Sequence, residues 1–273
     1  MAFHLLFIHN WFASTYGTID GVMWSLGVEV QFYVLFPLIA FAFVRMPLVT
    51  AATLTGVANG WRIWALHAGH YFLGQREAQL PAFIDVFAIG MLCAFVYAAL
   101  ARRDHLPVRP VFFGLLMLAG CAAFWLLVSG AFAIRYTPDW PEPWKVAWRT
   151  CVGLSFGAAA LGSLFAPRAL QRVLANPPLL FLAAISYNLY LWHQPIAWML
   201  VAHRIPPFRG SDPHHDRAWM VAFWFVAIPA ALVVSTLVTY ALERPLLRLG
   251  RRRRTRAAVA TERPARALPT AGR

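Results

Sequence analysis

Long runs of apolar residues alternate with short polar segments along most of the chain. Seven of these runs are long enough for a helix to cross a hydrocarbon core of ~30 Å, which takes ~20 residues. Backbone hydrogen bonds must close within each crossing in lipid, so the pattern predicts helices rather than open strands. The predicted spans are residues 23–44, 48–67, 80–100, 111–129, 146–166, 179–202 and 218–242.

This pattern predicts an all-α integral membrane protein with a bundle of about seven transmembrane helices. The second span is the weakest because Asn59 and Arg62 interrupt it. Composition supports the membrane class: 60% of the residues are apolar and only 13% are charged. A soluble domain of this length would need more charge to cover its surface.

Positive charge is concentrated at the C-terminus. The formal net charge is +13, and ten of the 24 lysines and arginines lie between Arg244 and the end, including the run 251–254. Because this run directly follows an apolar span, it predicts a cytoplasmic anchor facing anionic lipid rather than a nucleic-acid-binding tail. We therefore expect a membrane domain over 1–243 and a basic, disordered cytoplasmic tail over 244–273.

Cysteines and the chain start add little. Cys93, Cys121 and Cys151 lie singly in different apolar segments, and no Cys/His spacing indicates a metal site. The start, MAFHLLFIHNWF, lacks the basic region and the small-residue cleavage site of a secretory signal peptide.

Several ionisable residues lie inside predicted spans, and four of them are Glu29, Arg62, Asp85 and His193. A charge at the bilayer centre costs a few kcal/mol, so such residues usually pair or line a wet cavity. With a rise of ~1.5 Å per residue, all four fall in the same half of the membrane. We therefore expect them to converge on one chamber.

Helical spacing places further polar residues beside two of these four. Ser25 and Tyr33 share a helix face with Glu29, and Ser186 and Tyr190 share one with His193. Each polar stripe is expected to turn toward protein rather than lipid.

Other interpretations of these residues stay open. Glu29 and Arg62 would then only hold two helices together, Asp85 would be a satisfied acid at a helix end, and His193 would be a core histidine bonded to a backbone carbonyl. Four aromatic residues of the sixth span would be packing or interfacial side chains: Tyr187, Tyr190, Trp192 and Trp198.

Several of these residues lie in segments that resemble a known family. WSLGVEVQFYVLFPL, LPAFIDVFAIGMLCAF, ISYNLYLWHQPI and YALERPLLRLGRR occur in this order along the chain. They resemble segments of the membrane acyltransferases called acyltransferase family 3. The resemblance implies an integral membrane enzyme that moves an acyl group, often acetyl, from cytoplasmic acyl-coenzyme A to a hydroxyl of a cell-surface carbohydrate or glycolipid. It also implies a location in the bacterial cytoplasmic membrane.

The resemblance covers only part of a family member. The family fold has roughly ten helices, and its first helix carries an arginine followed about ten residues later by a histidine. This chain resembles the C-terminal two-thirds or so, without that histidine, which the family implies is the base. His4 and His9 have no upstream arginine, and their segment resembles the end of an outer loop.

Residue roles follow from the resemblance. Glu29 would orient or charge-stabilise the base, His193 would support it, and Arg62 would balance Glu29. The candidate catalytic residues are thus Glu29 and His193. The candidate substrate-binding residues are Ser25, Tyr33, Arg62, Asp85, Ser186 and Tyr190. No metal is expected.

Three functional interpretations remain from sequence. The first is an acyltransferase, or a piece of one whose start lies upstream of Met1. The second is an inactive truncated paralogue or a membrane partner subunit. The third is a transporter with a proton relay through Glu29, Asp85 and His193. The absence of paired broken segments in two halves of the chain argues against a transporter.

Overall fold

A computed structural model gives the structure of the protein and describes residues 1–68, 74–102, 109–134, 142–208, 210, 213 and 216–248. Its regular elements over these residues are helices and turns, with no strand. The α-helices are α1 (Ala2–Leu5), α2 (Met23–Arg45), α3 (Pro47–His67), α4 (Ile84–Ala101), α5 (Pro110–Ile134), α6 (Glu142–Phe165), α7 (Arg168–Leu174), α8 (Pro177–Ala202) and α9 (Arg217–Leu237). Short 3₁₀ turns cover His9–Trp11, Gln75–Ala78 and Leu80–Phe83, and a π-helical segment, Val238–Glu243, continues α9.

One long helix covers most of each of the seven predicted apolar stretches. Among the described residues, four helical segments are long and apolar enough to cross a membrane: Met23–Arg45, Leu80–Ala101, Pro110–Ala133 and Arg217–Arg248. The pair Trp144–Phe165 and Arg168–Leu174, bent by 117°, makes up to five. The polar residues of α3 and α8 lower their hydropathy. A helical, multi-pass membrane protein is therefore confirmed, whereas the number of seven crossings stays a prediction.

The chain divides into two compact units, Met1–Asn176 and Pro177–Arg273. In the first unit, α5 and α6 pack closely along their lengths. A Cβ atom at Gly120 would lie 2.5 Å from the backbone nitrogen of Ala159, and one at Gly162 would lie 2.5 Å from that of Met117. Two glycines thus permit the backbone approach that membrane helices use in place of a hydrophobic driving force.

The first 22 residues pack against α2. The side-chain amide of Gln31 donates to the carbonyl of Phe7 at 2.6 Å and to Oδ1 of Asn10 at 2.8 Å. Asn10 donates in turn to the carbonyl of Ala78 at 2.9 Å. A Cβ atom at Gly27 would lie 3.2 Å from the Phe7 carbonyl oxygen, so glycine suits this contact. This start of the chain is therefore a packed part of the first unit.

The regular elements in the described part of the second unit are α8, α9 and the π-helical segment. The Asp216 carboxylate caps α9 by accepting from the backbone N–H groups of Ala218 at 2.9 Å and Trp219 at 3.2 Å. The arginine run 251–254 lies outside the described residues, so the division at residue 243 stays a prediction.

Candidate functional site

Glu29 lies half-buried on α2 and is paired within its own helix. The hydroxyl of Tyr33, one turn later, donates to the Glu29 carboxylate. Tyr33 is 59% exposed. Ser25, one turn earlier, donates to the carbonyl of Val22 at 3.0 Å. The contact between Glu29 and Tyr33 confirms that these two side chains share a helix face.

Arg62 on α3 pairs with Asp85 at the start of α4. The two atoms, Nη2 and Oδ1, are 2.7 Å apart, and both side chains are 0% exposed. Nε and Nη2 of Arg62 also donate to the carbonyl of Ala82 at 3.0 and 2.6 Å. Asp85 Oδ1 further accepts from the backbone N–H of Val86 at 3.0 Å. Asp85 is thus a satisfied acid in the first turn of its helix.

Thr150 on α6 completes this arrangement. Its hydroxyl accepts from Arg62 Nη1 at 2.9 Å and donates to Asp85 Oδ2 at 2.6 Å. Nη1 also donates to the carbonyl of Val146 at 3.2 Å. A guanidinium has five N–H donors, and these contacts provide an acceptor for each. We call Arg62, Asp85 and Thr150 the Arg62 cluster.

The Arg62 cluster changes two expectations. Arg62 pairs with Asp85 rather than balancing Glu29. Arg62 and Asp85 were also expected to bind substrate, but complete burial and saturated hydrogen bonding leave no atom of Arg62 for a ligand. The cluster instead ties α3, α4 and α6 together, because separating them would leave a buried charge unpaired.

A second ion pair in the first unit was not identified from the sequence. Arg149 Nη2 on α6 lies 2.9 Å from Glu77 Oε2, and the two side chains are 9% and 1% exposed. The Arg149 guanidinium also lies 4.8 Å from the centre of the Phe83 ring. A basic residue inside the predicted span 146–166 was the signal that could have revealed it.

His193, Tyr190 and Ser186 lie on an exposed side of α8, not on the side that packs. His193 Nδ1 lies 2.6 Å from the carbonyl oxygen of Tyr190, and Ser186 donates to the carbonyl of Ala183 at 2.9 Å. That the stripe turns toward protein stays a prediction. The interpretation of His193 as bonded to a backbone carbonyl is confirmed.

Asn188 is the buried polar residue of α8. Its amide nitrogen donates to Oγ1 of Thr239 at 2.9 Å and to Oε2 of Glu243 at 2.6 Å. These contacts join ISYNLYLWHQPI to the closing YALERP segment. An amide in the middle of an apolar span was the available signal.

The single chamber expected for four residues is therefore only partly seen. Arg62 and Asp85 meet in the first unit, while Glu29 pairs with Tyr33 and His193 belongs to the second unit. The convergence of Glu29 and His193 stays a prediction. Within the described residues, no group of three or more His, Cys, Asp or Glu side chains is placed to hold a metal ion.

Comparison with known proteins identifies the family. Residues 2–244 match the model of acyltransferase family 3, described as an acyltransferase domain. The chain belongs to this family. Both the predicted membership and the predicted enzyme class, an acyltransferase, are thereby confirmed.

Curated relatives include O-acetyltransferase OatA from Staphylococcus aureus strains NCTC 8325, COL and MRSA252. Each is 25% identical to this chain over 181 residues, which is 64% of this chain and 29% of the relative. The chain thus spans less than a third of the length of these relatives. No solved structure matches it.

Proposed function

We propose that this chain transfers an acyl group, in the simplest case acetyl, from acyl-coenzyme A to a hydroxyl of a cell-surface carbohydrate or glycolipid. The match of residues 2–244 to an acyltransferase domain carries this proposal. The relatives named O-acetyltransferase support acetyl as the group and oxygen as the acceptor atom.

The reaction sets the chemical requirements. The acceptor oxygen attacks the thioester carbonyl, a C–O bond forms, the C–S bond breaks, and coenzyme A leaves as its thiol. A base must remove the hydroxyl proton during the attack. Hydrogen-bond donors must stabilise the negative charge that develops on the carbonyl oxygen.

In this proposal Glu29 positions or charge-stabilises the base. Tyr33 donates one hydrogen bond to the carboxylate, and a carboxylate has about four acceptor positions. Glu29 therefore retains capacity to accept from a cationic or N–H partner. Ser25 and Tyr33, one turn to either side of it, are proposed to contact substrate.

His193 acts in a supporting role. Its Nδ1 lies 2.6 Å from the Tyr190 carbonyl oxygen, and a carbonyl only accepts, so Nδ1 carries the proton and Nε2 the lone pair. Because the side chain is exposed, Nε2 is suited to accept a hydrogen bond from the substrate hydroxyl that receives the acyl group. Ser186 and Tyr190, on the same exposed side of α8, are proposed to bind the same substrate.

Acetyl transfer in membranes tests the proposal. Membranes from cells producing the full chain receive labelled acetyl-coenzyme A, and alkali-labile label in envelope carbohydrate is measured. Glu29→Gln is expected to lower transfer about 100-fold or more, and His193→Ala about tenfold. Asp216→Asn is the matched control, because an amide oxygen still caps α9.

Three results would contradict the proposal in different ways. Full transfer by both Glu29→Gln and His193→Ala, at normal membrane levels, overturns the residue roles. No transfer by the unchanged chain at a normal membrane level favours an inactive paralogue or a partner subunit. Movement of a solute without consumption of acyl-coenzyme A favours a transporter.

We also propose a bacterial cytoplasmic membrane location with the C-terminus in the cytoplasm. The ten basic residues from Arg244 onward support this orientation. A protease added to right-side-out cells is expected to leave an epitope at the C-terminus intact, and to remove it only after the membrane is opened. Removal in intact cells would reverse the orientation.

A further inference from the structure

A cavity of about 940 Å³ lies within the first unit, mainly between α4 and α6. This volume is at the upper end of the range for small-molecule sites. Its long walls are apolar, and Phe124 of α5 contributes to them. Its polar side chains, Tyr16, Glu77 and Arg149, come from the start of the chain, the turn before α4 and the first half of α6.

The cavity is elongated along the helices. On α6 its lining runs from Trp148 to Ala160, and on α4 it reaches Cys93 from the preceding Phe83. From the polar residue Arg149 to Ala160, eleven residues of helix at ~1.5 Å each give a length of about 16 Å. A C–C bond of ~1.5 Å advances an extended hydrocarbon chain by about 1.25 Å, so this length suits about twelve carbons.

A glycine keeps the middle of the cavity open. Gly90 lines it, and a Cβ atom placed there would meet no other atom within 4 Å. Gly153 and Gly157 of α6 also line the cavity, but they serve packing, because Cβ atoms there would lie 3.0 and 2.9 Å from the Ile89 side chain of α4. The open space in the wall therefore depends on Gly90.

The polar residues include a buried donor without a partner. Arg149 Nη1 makes no hydrogen bond with any residue that the structure describes, although the side chain is only 9% exposed. A buried unpaired donor is costly, so this N–H is suited to an oxygen supplied by a ligand. Because Glu77 already balances the Arg149 charge at 2.9 Å, a neutral carbonyl suits this position better than a second carboxylate.

Tyr16 offers a second donor for the same ligand. Burial raises the pKa of its phenol, and the nearby positive charge of Arg149 opposes this only in part. The hydroxyl therefore stays protonated at neutral pH and donates rather than repels a carbonyl oxygen.

We propose that this cavity binds an acyl chain of about twelve carbons in a neutral ester, with the ester carbonyl oxygen on Arg149 Nη1 and the chain between α4 and α6. The site does not depend on the proposed transfer reaction. An acetyl group would fill only a small part of it, so a longer acyl ester is the ligand that the walls fit.

Binding of tritiated 1-acylglycerols tests this site on the purified full chain. Digitonin is a suitable detergent because its rigid sterol does not imitate an alkyl chain. Acylglycerols with 6, 8, 10, 12 and 16 carbons are compared. We expect saturable binding of one molecule per chain, tightest near twelve carbons. Uptake that simply rises with chain length, or exceeds one molecule without saturating, means adventitious lipid only and overturns the proposal.

A tryptophan at Gly90 is expected to shorten the cavity. The seven residues from Phe83 to Gly90 span about 10 Å, so Gly90→Trp should move the preferred length from about twelve to about eight carbons. Gly56→Trp on α3 is the matched control, since a Cβ atom there also meets nothing within 4 Å and Gly56 does not line the cavity. An unchanged preference in Gly90→Trp, or the same shift in both variants, overturns the proposal.

Arg149→Lys tests the polar end independently and serves if Gly90→Trp does not fold. Lysine keeps a positive charge beside Glu77 but lacks the second terminal nitrogen of the fork. Affinity for the twelve-carbon acylglycerol is expected to fall about tenfold, while affinity for dodecane, which has no carbonyl, stays the same. Equal affinity of both proteins for the acylglycerol contradicts the assigned contact.

Discussion

The Arg62 cluster and the Glu29–Tyr33 pair both place charge inside apolar helices, yet they differ in the hydrogen-bonding capacity that remains for a ligand. The Arg62 cluster joins three helices, buries Arg62 and Asp85 completely and provides an acceptor for every N–H of the guanidinium. The Glu29–Tyr33 pair lies within one helix, and Tyr33 is 59% exposed.

This difference separates scaffold from candidate chemistry. A saturated buried pair has no capacity to bind substrate, and its cost of desolvation is offset only while all partners remain. A half-buried carboxylate with one donor can still bind a ligand or a base. Remaining hydrogen-bond capacity is therefore a better guide to function here than charge alone.

The largest effect is expected when the Arg62 cluster loses its carboxylate. Asp85→Ala leaves a buried guanidinium without its counter-charge and should cost about 3–5 kcal/mol of folding free energy. Thermal unfolding of the purified protein measures this. Glu29→Ala is the control and should change stability by less than about 0.5 kcal/mol. Equal melting of Asp85→Ala and the unchanged protein would remove the contrast.

A smaller effect is expected at Thr150. Thr150→Val keeps the shape but leaves an oxygen of Asp85 and an N–H of Arg62 short of one partner, at a cost of about 1–3 kcal/mol. Thr55→Val is a suitable control, because that hydroxyl donates to the Ala51 carbonyl of its own helix at 2.9 Å and to no other group in the described part of the chain. If Thr150→Val melts no earlier than the control, the cluster is looser than its distances indicate.

Removing the Tyr33 hydroxyl is expected to change activity much more than stability. Tyr33→Phe removes one exposed hydrogen bond and should shift stability by less than about 0.5 kcal/mol. In the acetyl-transfer assay it should lower activity about tenfold, because Glu29 loses the donor that fixes it. Unfolding and transfer are measured on the same membrane preparations. A loss of stability without a loss of activity would make the pair a structural one.

The smallest effect on stability is expected at His9, a buried side chain that can be titrated. Burial lowers its pKa, its contact with the Met23 carbonyl opposes this, and the His4 charge adds to the lowering. The unfolded chain then binds more protons below the ordinary value near 6.5, so stability is complete above that pH and falls as the pH drops through it. Melting between pH 5 and 8 measures this dependence. His9→Gln should flatten it, and an unchanged slope would exclude His9 as the cause.

The sequence predicts where each helix lies along the chain, but not which face of a helix contacts which neighbour. Apolar length located all seven long helices, the ionisable residues within the spans pointed to Glu29, Asp85 and His193, and the segment resemblance identified the family. Depth in a span does not specify which neighbouring helix a side chain faces. The choice of Asp85 over Glu29 as the partner of Arg62 depends on packing between segments far apart in sequence.

The same reason explains the residues that were overlooked. Asn188 bonds to a side chain 51 positions away and Asn10 to a carbonyl 68 positions away. Arg149 lies inside the predicted span 146–166, but its partner Glu77 lies outside all seven predicted spans. Hydropathy reports the cost of placing a polar group in lipid without indicating which contact offsets it.

The contact of Gln31 with the first residues bears on how this protein is handled in the laboratory. Residues 1–22 contain only α1 and a 3₁₀ turn, so they invite trimming to improve expression. Removing these residues would leave the Gln31 amide without its acceptors on Phe7 and Asn10. It would also uncover the surface of α2 at Gly27, against which Phe7 packs. Aggregation of a shortened protein would then result from the loss of these contacts with α2 and not from an unstable helix bundle.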